Sequence, residues 1–181
     1  QIYLHLGQHE DAIKCYTKVT ELNPKNDYAW DNMGSMHDVL GRHEESLKCF
    51  EKSIEANPTG EGWYNKGDSL RKLGRYKEAL ECYDKATQVH PVEPDAWYNK
   101  GLVLQKLSNL EEALKCFDKV IELDPEHQQI MELWQNKAKI FESLDNEVEC
   151  LRCWLKLIRL DTDEERASIA KQNMFGDSYN E

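Results

Sequence analysis

The chain has 181 residues, of which 40% are hydrophobic and 31% are charged, and its formal net charge is −11. This composition is typical of a folded, soluble protein. An acidic surface repels phosphate backbones, and no apolar run reaches the roughly 18 residues that span a bilayer, so we expect no nucleic-acid or membrane partner.

A repeat of about 34 residues runs along the chain. Five segments have a cysteine, an aromatic residue and, two residues after the aromatic, a lysine, as in KCYTK at 14 to 18. The five aromatics lie 34, 33, 34 and 37 residues apart, and a tryptophan precedes each of the last four by 20 residues. These aromatics are Tyr16, Phe50, Tyr83, Phe117 and Trp154, and the tryptophans are Trp30, Trp63, Trp97 and Trp134.

Each unit is predicted to contain two helices. In the first helix, the tryptophan and a small residue four positions later lie on one buried stripe, and in the second helix Ala79, Tyr83 and Ala86 do the same. A break is predicted between the helices at Gly7, Gly41, Gly74 and Ser108. Proline ends the second helix in the first four units because it lacks the amide donor that a helix interior needs.

The fifth unit departs from this pattern. Its link, within PEHQQIMELW, has three extra residues, and we expect them to start the first helix early rather than to form a long loop. After Asp161, the spacing of Ala167, Ala170 and Met174 predicts a helix over 163–175 that caps the last unit. The alternative is an independent binding helix.

These residues resemble the tetratricopeptide repeat, most clearly in WYNKGDSL with EALECYDKA and in WYNKGLVL with EALKCFDKV. The resemblance implies an all-α fold, a right-handed α-solenoid of antiparallel helix pairs with about four and a half units. We expect a repeat array over 1–161 and a capping helix with a polar tail over 162–181. The expected units are 1–24 (partial), 27–59, 60–92, 94–126 and 131–161.

The cysteines and histidines are interpreted as parts of the repeat. Five of the six cysteines occupy one slot in successive units, and neighbouring helix axes lie about 8 to 10 Å apart, whereas a disulfide needs Cα atoms within about 7 Å. Cys150 and Cys153 form a lone CxxC inside a predicted helix. We therefore expect reduced packing thiols, no metal, no cofactor and no catalysis, and a cytoplasmic location.

The predicted binding face is the stripe of the first helix opposite the core, which the resemblance places in a concave groove. An asparagine recurs there in every complete unit, and its amide can hold a peptide backbone through both its N–H and its C=O. These asparagines are Asn32, Asn65, Asn99 and Asn136. The alternative is that each amide bonds only the adjacent repeat. On the ligand hypothesis, alanine at Asn65 and Asn99 weakens binding and leaves the melting temperature almost unchanged.

Further candidate contacts lie beside the asparagines. They are Tyr64, Tyr98, Asp68, Leu102 and a basic cluster of Arg71, Lys72, Lys106 and Lys139. The acidic helix starts Glu61, Asp95 and Glu132 either attract a basic peptide or complement the helix dipole. The slots in which family members that bind chaperone tails carry basic residues hold none here, so a C-terminal-carboxylate clamp is not expected.

The sequence thus favours a non-catalytic module that binds a protein or peptide segment in its groove. Two alternatives stay open: a scaffold for self-association, and the interaction arm of a larger multidomain enzyme.

Overall fold

The computed structural model describes the backbone of residues 2–175 and the side chains of residues 7–161. These residues form α-helices and turns, with no strand among them. The helices are α1 (Ile2–Leu22), α2 (Asp27–Val39), α3 (His43–Ala56), α4 (Gly60–Lys72), α5 (Tyr76–Val89), α6 (Pro94–Lys106), α7 (Leu110–Leu123), α8 (Ile130–Ser143) and α9 (Glu147–Phe175). They belong to two compact structural units, Gln1–Leu123 and Asp124–Glu181. From here on, "first unit" and "second unit" mean these two, and the 34-residue sequence units are called repeats.

The first unit is built from sequential helix pairs. α2 packs on α3, α4 on α5 and α6 on α7, and between the pairs α3 packs on α4 and α5 on α6. A single pair exposes an apolar face, and stacking the next pair on it buries that face. The predicted all-α helical-repeat fold is confirmed.

The close approach of the paired helices explains the recurring glycine. A Cβ atom at Gly34, Gly67 or Gly101 would lie 2.8, 3.0 or 2.7 Å from the nearest ring atom of Phe50, Tyr83 or Phe117, respectively. All three aromatic side chains are buried. The glycine four residues after the tryptophan is therefore a packing residue that allows the aromatic ring to reach the helix backbone.

The predicted break between the two helices is a left-handed residue at a fixed position, nine residues before the aromatic. Gly41 and Gly74 have φ values of 73° and 75°, and Ser108 has 62°. The prediction for Gly7 was wrong, because α1 passes through it without interruption. A Cβ atom added at Gly7 would meet no neighbour within 4 Å among the described residues, so nothing there requires glycine.

Local side-chain hydrogen bonds fix where α2 and α4 begin. Asn26 caps α2 by accepting from the Ala29 amide, and Thr59 caps α4 by accepting from the Gly62 amide. The indole Nε1 of Trp30 donates to the carbonyl oxygen of Pro24 at 2.9 Å. The same bond joins Trp97 to Pro91, so a tryptophan and the proline six residues before it are linked at the start of both α2 and α6.

The second unit begins with turns rather than with an extended helix. α8 starts at Ile130, four residues before Trp134, whereas α2, α4 and α6 start three residues before their tryptophans. The Ile130 amide donates to the His127 carbonyl at 2.8 Å, and the His127 amide donates to Asp124 at 3.2 Å. Most of the extra residues therefore form a tight link, which corrects the expectation of an early helix start.

The second helix of this unit is longer than predicted. α9 is continuous from Glu147 to Phe175, so no new helix begins at Asp163, and the predicted separate helix over 163–175 was wrong in its start. The side chains of Ala167, Ala170 and Met174, on which the capping prediction rests, lie outside the described residues. No helix in the described ranges combines the length and apolarity needed to cross a membrane.

Candidate functional site

The first helices of successive pairs lie side by side in the first unit. α2 contacts α4, and α4 contacts α6. Because Asn32, Asn65 and Asn99 occupy the same position on these three helices, the structure brings them onto one shared face.

Two of these asparagines hydrogen-bond the preceding helix pair. Asn65 Nδ2 donates to both carboxylate oxygens of Asp31, at 3.2 and 3.3 Å. Asn99 Nδ2 donates to the hydroxyl oxygen of Tyr64 at 2.9 Å. In both cases the acceptor is the residue that follows the tryptophan of the preceding repeat. The amides therefore join successive first helices, which is the alternative that the sequence left open.

The other two predicted asparagines differ from this pattern. Asn32 Nδ2 donates at 2.7 Å to the carbonyl oxygen of Tyr28 in its own helix. Asn136 lies in the second unit, where its Nδ2 is buried without a hydrogen-bond partner among the residues whose side chains are described. The four positions thus hold the same residue in the sequence but differ in their contacts.

The bond that each amide makes changes the expected effect of mutating it. Asp31 is half-buried, and burial raises the pKa of its carboxyl group, an effect that the hydrogen bond from Asn65 partly offsets. Replacing Asn65 removes a hydrogen bond to a carboxylate, which contributes about 1.5 to 3 kcal/mol. The expectation of an almost unchanged melting temperature does not fit this geometry.

The two predicted tyrosine anchors are packing residues in this structure. Tyr98 is buried, with its ring centroid 6.0 Å from that of Phe117, and half-buried Tyr64 has the same distance to Tyr83. Burial, with a contribution from the nearby charge of Asp68, raises the pKa of Tyr64 to about 12. The phenol of Tyr64 therefore stays protonated and combines its acceptor role toward Asn99 with a remaining donor.

Part of the predicted basic cluster is neutralised within the unit. Lys72 forms ion pairs with Asp38 and, at 2.8 Å, with Asp68, and Arg71 Nε donates to Asp68 at 3.1 Å. Burial opposes ionisation of Asp38, but hydrogen bonds from Lys72 and His43 lower the pKa of its carboxyl group overall. Lys72 and Arg71 are thus held by carboxylates on the same face.

The remaining predicted contacts are exposed or half-buried. Lys106 is exposed at the last turn of α6, and Leu102 is half-buried one turn earlier. Lys139 is exposed on α8, in the second unit.

A cavity of about 400 Å³ opens in the first unit where the starts of α4 and α6 meet the end of α5. Two predicted site residues, Tyr64 and Asn65, form part of its lining. Its charged and polar lining residues are Glu61, Tyr64, Asn65, His90, Glu93 and Asp95. Glu61 and Asp95 lie in the first turns of their helices, where a carboxylate complements the helix dipole.

Sequence reasoning missed several of these participants. His90 and Glu93 lie in the link between α5 and α6. The role of Asp31 as an acceptor for Asn65 was not predicted either. One signal was available: the acceptors Asp31 and Tyr64 each precede their asparagine by one repeat period, 34 and 35 residues.

The cysteines of the first unit are mostly packing residues, as predicted. Burial raises the pKa of the thiols of Cys49, Cys82 and Cys116 to about 11 in each case, so they are protonated at neutral pH. Cys15 is exposed, which differs from the prediction. Within the part of the chain that the structure describes, no group of three or more histidine, cysteine or acidic side chains is placed to hold a metal ion.

The fold and the site together define a helical-repeat scaffold of the kind that engages other proteins. Family profiles described as "Tetratricopeptide repeat" match residues 1–26, 28–59 and 94–127, and one described as "TPR repeat" matches residues 67–108. The chain belongs to the tetratricopeptide repeat family.

Solved structures share this fold along most of the chain. The crystal structure of MamA has 21% sequence identity and a TM-score of 0.81, covering 90% of this chain and 92% of that one. MamA 41-end from Desulfovibrio magneticus RS-1 has 22% identity and a TM-score of 0.78, covering 88% and 89%. YrrB, described as a TPR protein with an unusual peptide-binding site, has 27% identity and a TM-score of 0.76, covering 94% and 87%. No curated protein matches the chain by sequence.

Proposed function

We propose that this protein is a non-catalytic scaffold that binds an extended segment of a partner protein on the face formed by α2, α4 and α6. The observation that carries this proposal is the cavity of about 400 Å³ beside Tyr64 and Asn65. The similarity to YrrB, whose description includes a peptide-binding site, supports the same class of ligand.

The charge of the cavity favours a basic side chain of the partner. Glu61, Glu93 and Asp95 supply three carboxylates around one opening, and the whole chain has a net charge of −11. An arginine or lysine entering the cavity gains attraction from all three, and this attraction weakens as salt screens it.

The asparagines retain a means of holding the peptide backbone. The observed bonds to Asp31 and Tyr64 are donated by Nδ2, so the carbonyl oxygens of Asn65 and Asn99 remain suited to accept from a peptide N–H. Each hydrogen bond contributes only about 0.5 to 1.5 kcal/mol, so the basic anchor is needed for affinity. Exposed Lys106 and half-buried Leu102 extend the proposed surface along α6.

A peptide array tests this proposal. Extended peptides of one length carry a central arginine, alanine or glutamate, and we expect the wild-type protein to prefer arginine, with the preference declining as salt rises. Glu61→Gln with Asp95→Asn should strongly reduce the preference, because only Glu93 then remains charged at the cavity. The matched control, Glu111→Gln with Glu112→Gln, neutralises two carboxylates in the first turn of α7 that do not line the cavity, and it should keep the preference. Equal binding of the three peptides by the wild type contradicts the proposal.

The location that we propose is the cytoplasm, on the ground that six thiols suit a reducing compartment.

A further inference from the structure

Helix α9 has apolar residues on two opposite faces. Cys153 and Leu157 are buried on the side that packs on α8. At about 100° per residue, a second group lies within an arc of about 80° centred roughly opposite to them. This second group is the outer stripe, and it consists of Val148, Leu151, Leu155 and Ile158, with Trp154 at its edge; all are between 46% and 63% exposed.

The outer stripe is broader than an ordinary second helix of this repeat provides. The position of Leu151 is leucine in all three second helices of the first unit, but the positions of Val148 and Leu155 are charged in all three. The corresponding charged residues are Glu44, Lys77 and Glu111 at the first position and Glu51, Asp84 and Asp118 at the second. Trp154 also differs, because the aromatics in its position on α3, α5 and α7 are buried.

The spacing of the outer stripe is that of a helix seam. Val148, Leu151, Leu155 and Ile158 follow one another at intervals of three, four and three residues, which places them at successive a and d positions of a heptad. Valine and leucine at a, with leucine and isoleucine at d, suit the pairing of one helix with another.

The charges beside the seam select a second copy of the same helix in parallel orientation. Glu147 occupies a g position and Arg152 the following e position, so parallel pairing puts Glu147 of each copy against Arg152 of the other. Antiparallel pairing in the same register would instead set Arg152 against its own equivalent and Glu147 against Asp161, which are like charges. Arg152 pairs with Glu149 within one chain, an exposed contact that costs little to exchange.

A cavity adjoins Glu147, the residue that parallel pairing would set against Arg152 of the other copy. It has a volume of about 520 Å³ and is formed within the second unit. Glu142, Asp145 and Glu147 give it an acidic rim, while Leu151 and Trp154 form its apolar wall. A guanidinium with its aliphatic stem matches both parts of this lining.

We propose that the outer stripe of α9 is a self-association surface, at which two copies of this chain pair α9 with α9 in parallel and insert Arg152 into the acidic cavity. This surface shares no residue with the proposed peptide site, so each can fail without the other.

Light scattering of the whole chain over a concentration series tests the pairing. We expect the wild-type mass to rise toward twice the 21.2 kDa of one chain. Leu155→Glu should keep the mass at one chain, because it places a carboxylate in the seam, and as an exposed position it tolerates the change in the monomer. The matched control is Val92→Glu, since Val92 is 60% exposed and Leu155 is 58% exposed; it should associate like the wild type.

Charge exchange tests the orientation. Glu147→Arg alone should weaken association at least tenfold, and Glu147→Arg combined with Arg152→Glu should restore it. The proposal is overturned if the wild-type chain stays monomeric throughout the series. This holds even if the outer stripe then binds some other helix. A dimer that Leu155→Glu leaves intact also overturns the proposal. If the single and the double charge variant associate equally weakly or equally strongly, the parallel arrangement is overturned.

Discussion

Replacing Asn65 by alanine should destabilise the fold, because its amide is a structural contact between two helix pairs. The variant loses the bonds from Nδ2 to the Asp31 carboxylate at 3.2 and 3.3 Å. A hydrogen bond to a charged group contributes about 1.5 to 3 kcal/mol, so we expect a loss of about 2 kcal/mol in the free energy of unfolding at neutral pH. For a chain of this size, that loss lowers the melting temperature by about 4 to 8 °C.

The loss should depend on pH through Asp31. Burial raises the pKa of this carboxyl group in the folded state above its usual value of 3.8. Folding therefore favours the protonated acid, and stability falls as pH rises from 3.8 through the folded-state pKa. Without Asn65 the folded-state pKa rises further, so the ionised carboxylate costs more. The difference in the free energy of unfolding between wild type and variant should be greatest at pH values above the folded-state pKa. Below pH 3.8 it should shrink to about 1 kcal/mol, the contribution of a neutral hydrogen bond.

Thermal and urea unfolding at neutral and acidic pH measure both effects. The control background is Asp31→Asn, in which Asn65→Ala should cost only about 1 kcal/mol at every pH because no charge is involved. An unchanged melting temperature for Asn65→Ala at neutral pH would refute the structural role of the amide and return the asparagines to a purely ligand-binding role.

Further predictions test other parts of the fold. Gly101→Ala should lower the free energy of unfolding by about 1 kcal/mol, because the new Cβ lies 2.7 Å from Phe117 and overpacking outweighs the gain in helix propensity. Gly7→Ala, with open space around it, should instead raise that free energy. Equal effects of the two substitutions in chemical denaturation contradict this account. Ser108→Gly should raise the free energy of unfolding by about 1 kcal/mol, since Ser108 has a φ of 62°, and an unchanged or lower urea midpoint counts against it. In the native state, a thiol reagent should label exposed Cys15 first, as detected by mass spectrometry. Burial raises the pKa of three other thiols to about 11, and early labelling at any of them contradicts their packing role. These thiols are Cys49, Cys82 and Cys116.

The repeat pattern was sufficient to predict the helices because it records short-range geometry. Residues four apart lie on one helical face, so the spacing of Trp97 and Gly101 marked the buried stripe of α6, and the glycine fitted the ring of Phe117. The same logic failed at Gly7, where glycine costs a helix only about 1 kcal/mol and α1 continues through it.

The predicted site was harder, because its side chains have several partners within reach. Lys72 was expected to face a ligand, but Asp38, 34 residues away in sequence, and Asp68 both reach its ammonium group. Lys72 and Asp68 were both candidates from the sequence, but Asp38 was not, and nothing in the spacing showed which charges would pair. Long side chains have many rotamers, and the choice among them depends on a neighbouring helix that local periodicity does not specify.

By itself, the sequence determined the helical repeat, its register and the positions of its packing residues, because these follow from spacing along one helix and from recurrence at a fixed period. Only the tertiary structure decided that Asn65 bonds Asp31, that carboxylates surround a cavity beside Tyr64, and that Leu155 and its neighbours on α9 are exposed. These features depend on which surfaces meet across helix pairs, where contacts of a few kcal/mol or less select one arrangement from several that the same residues permit.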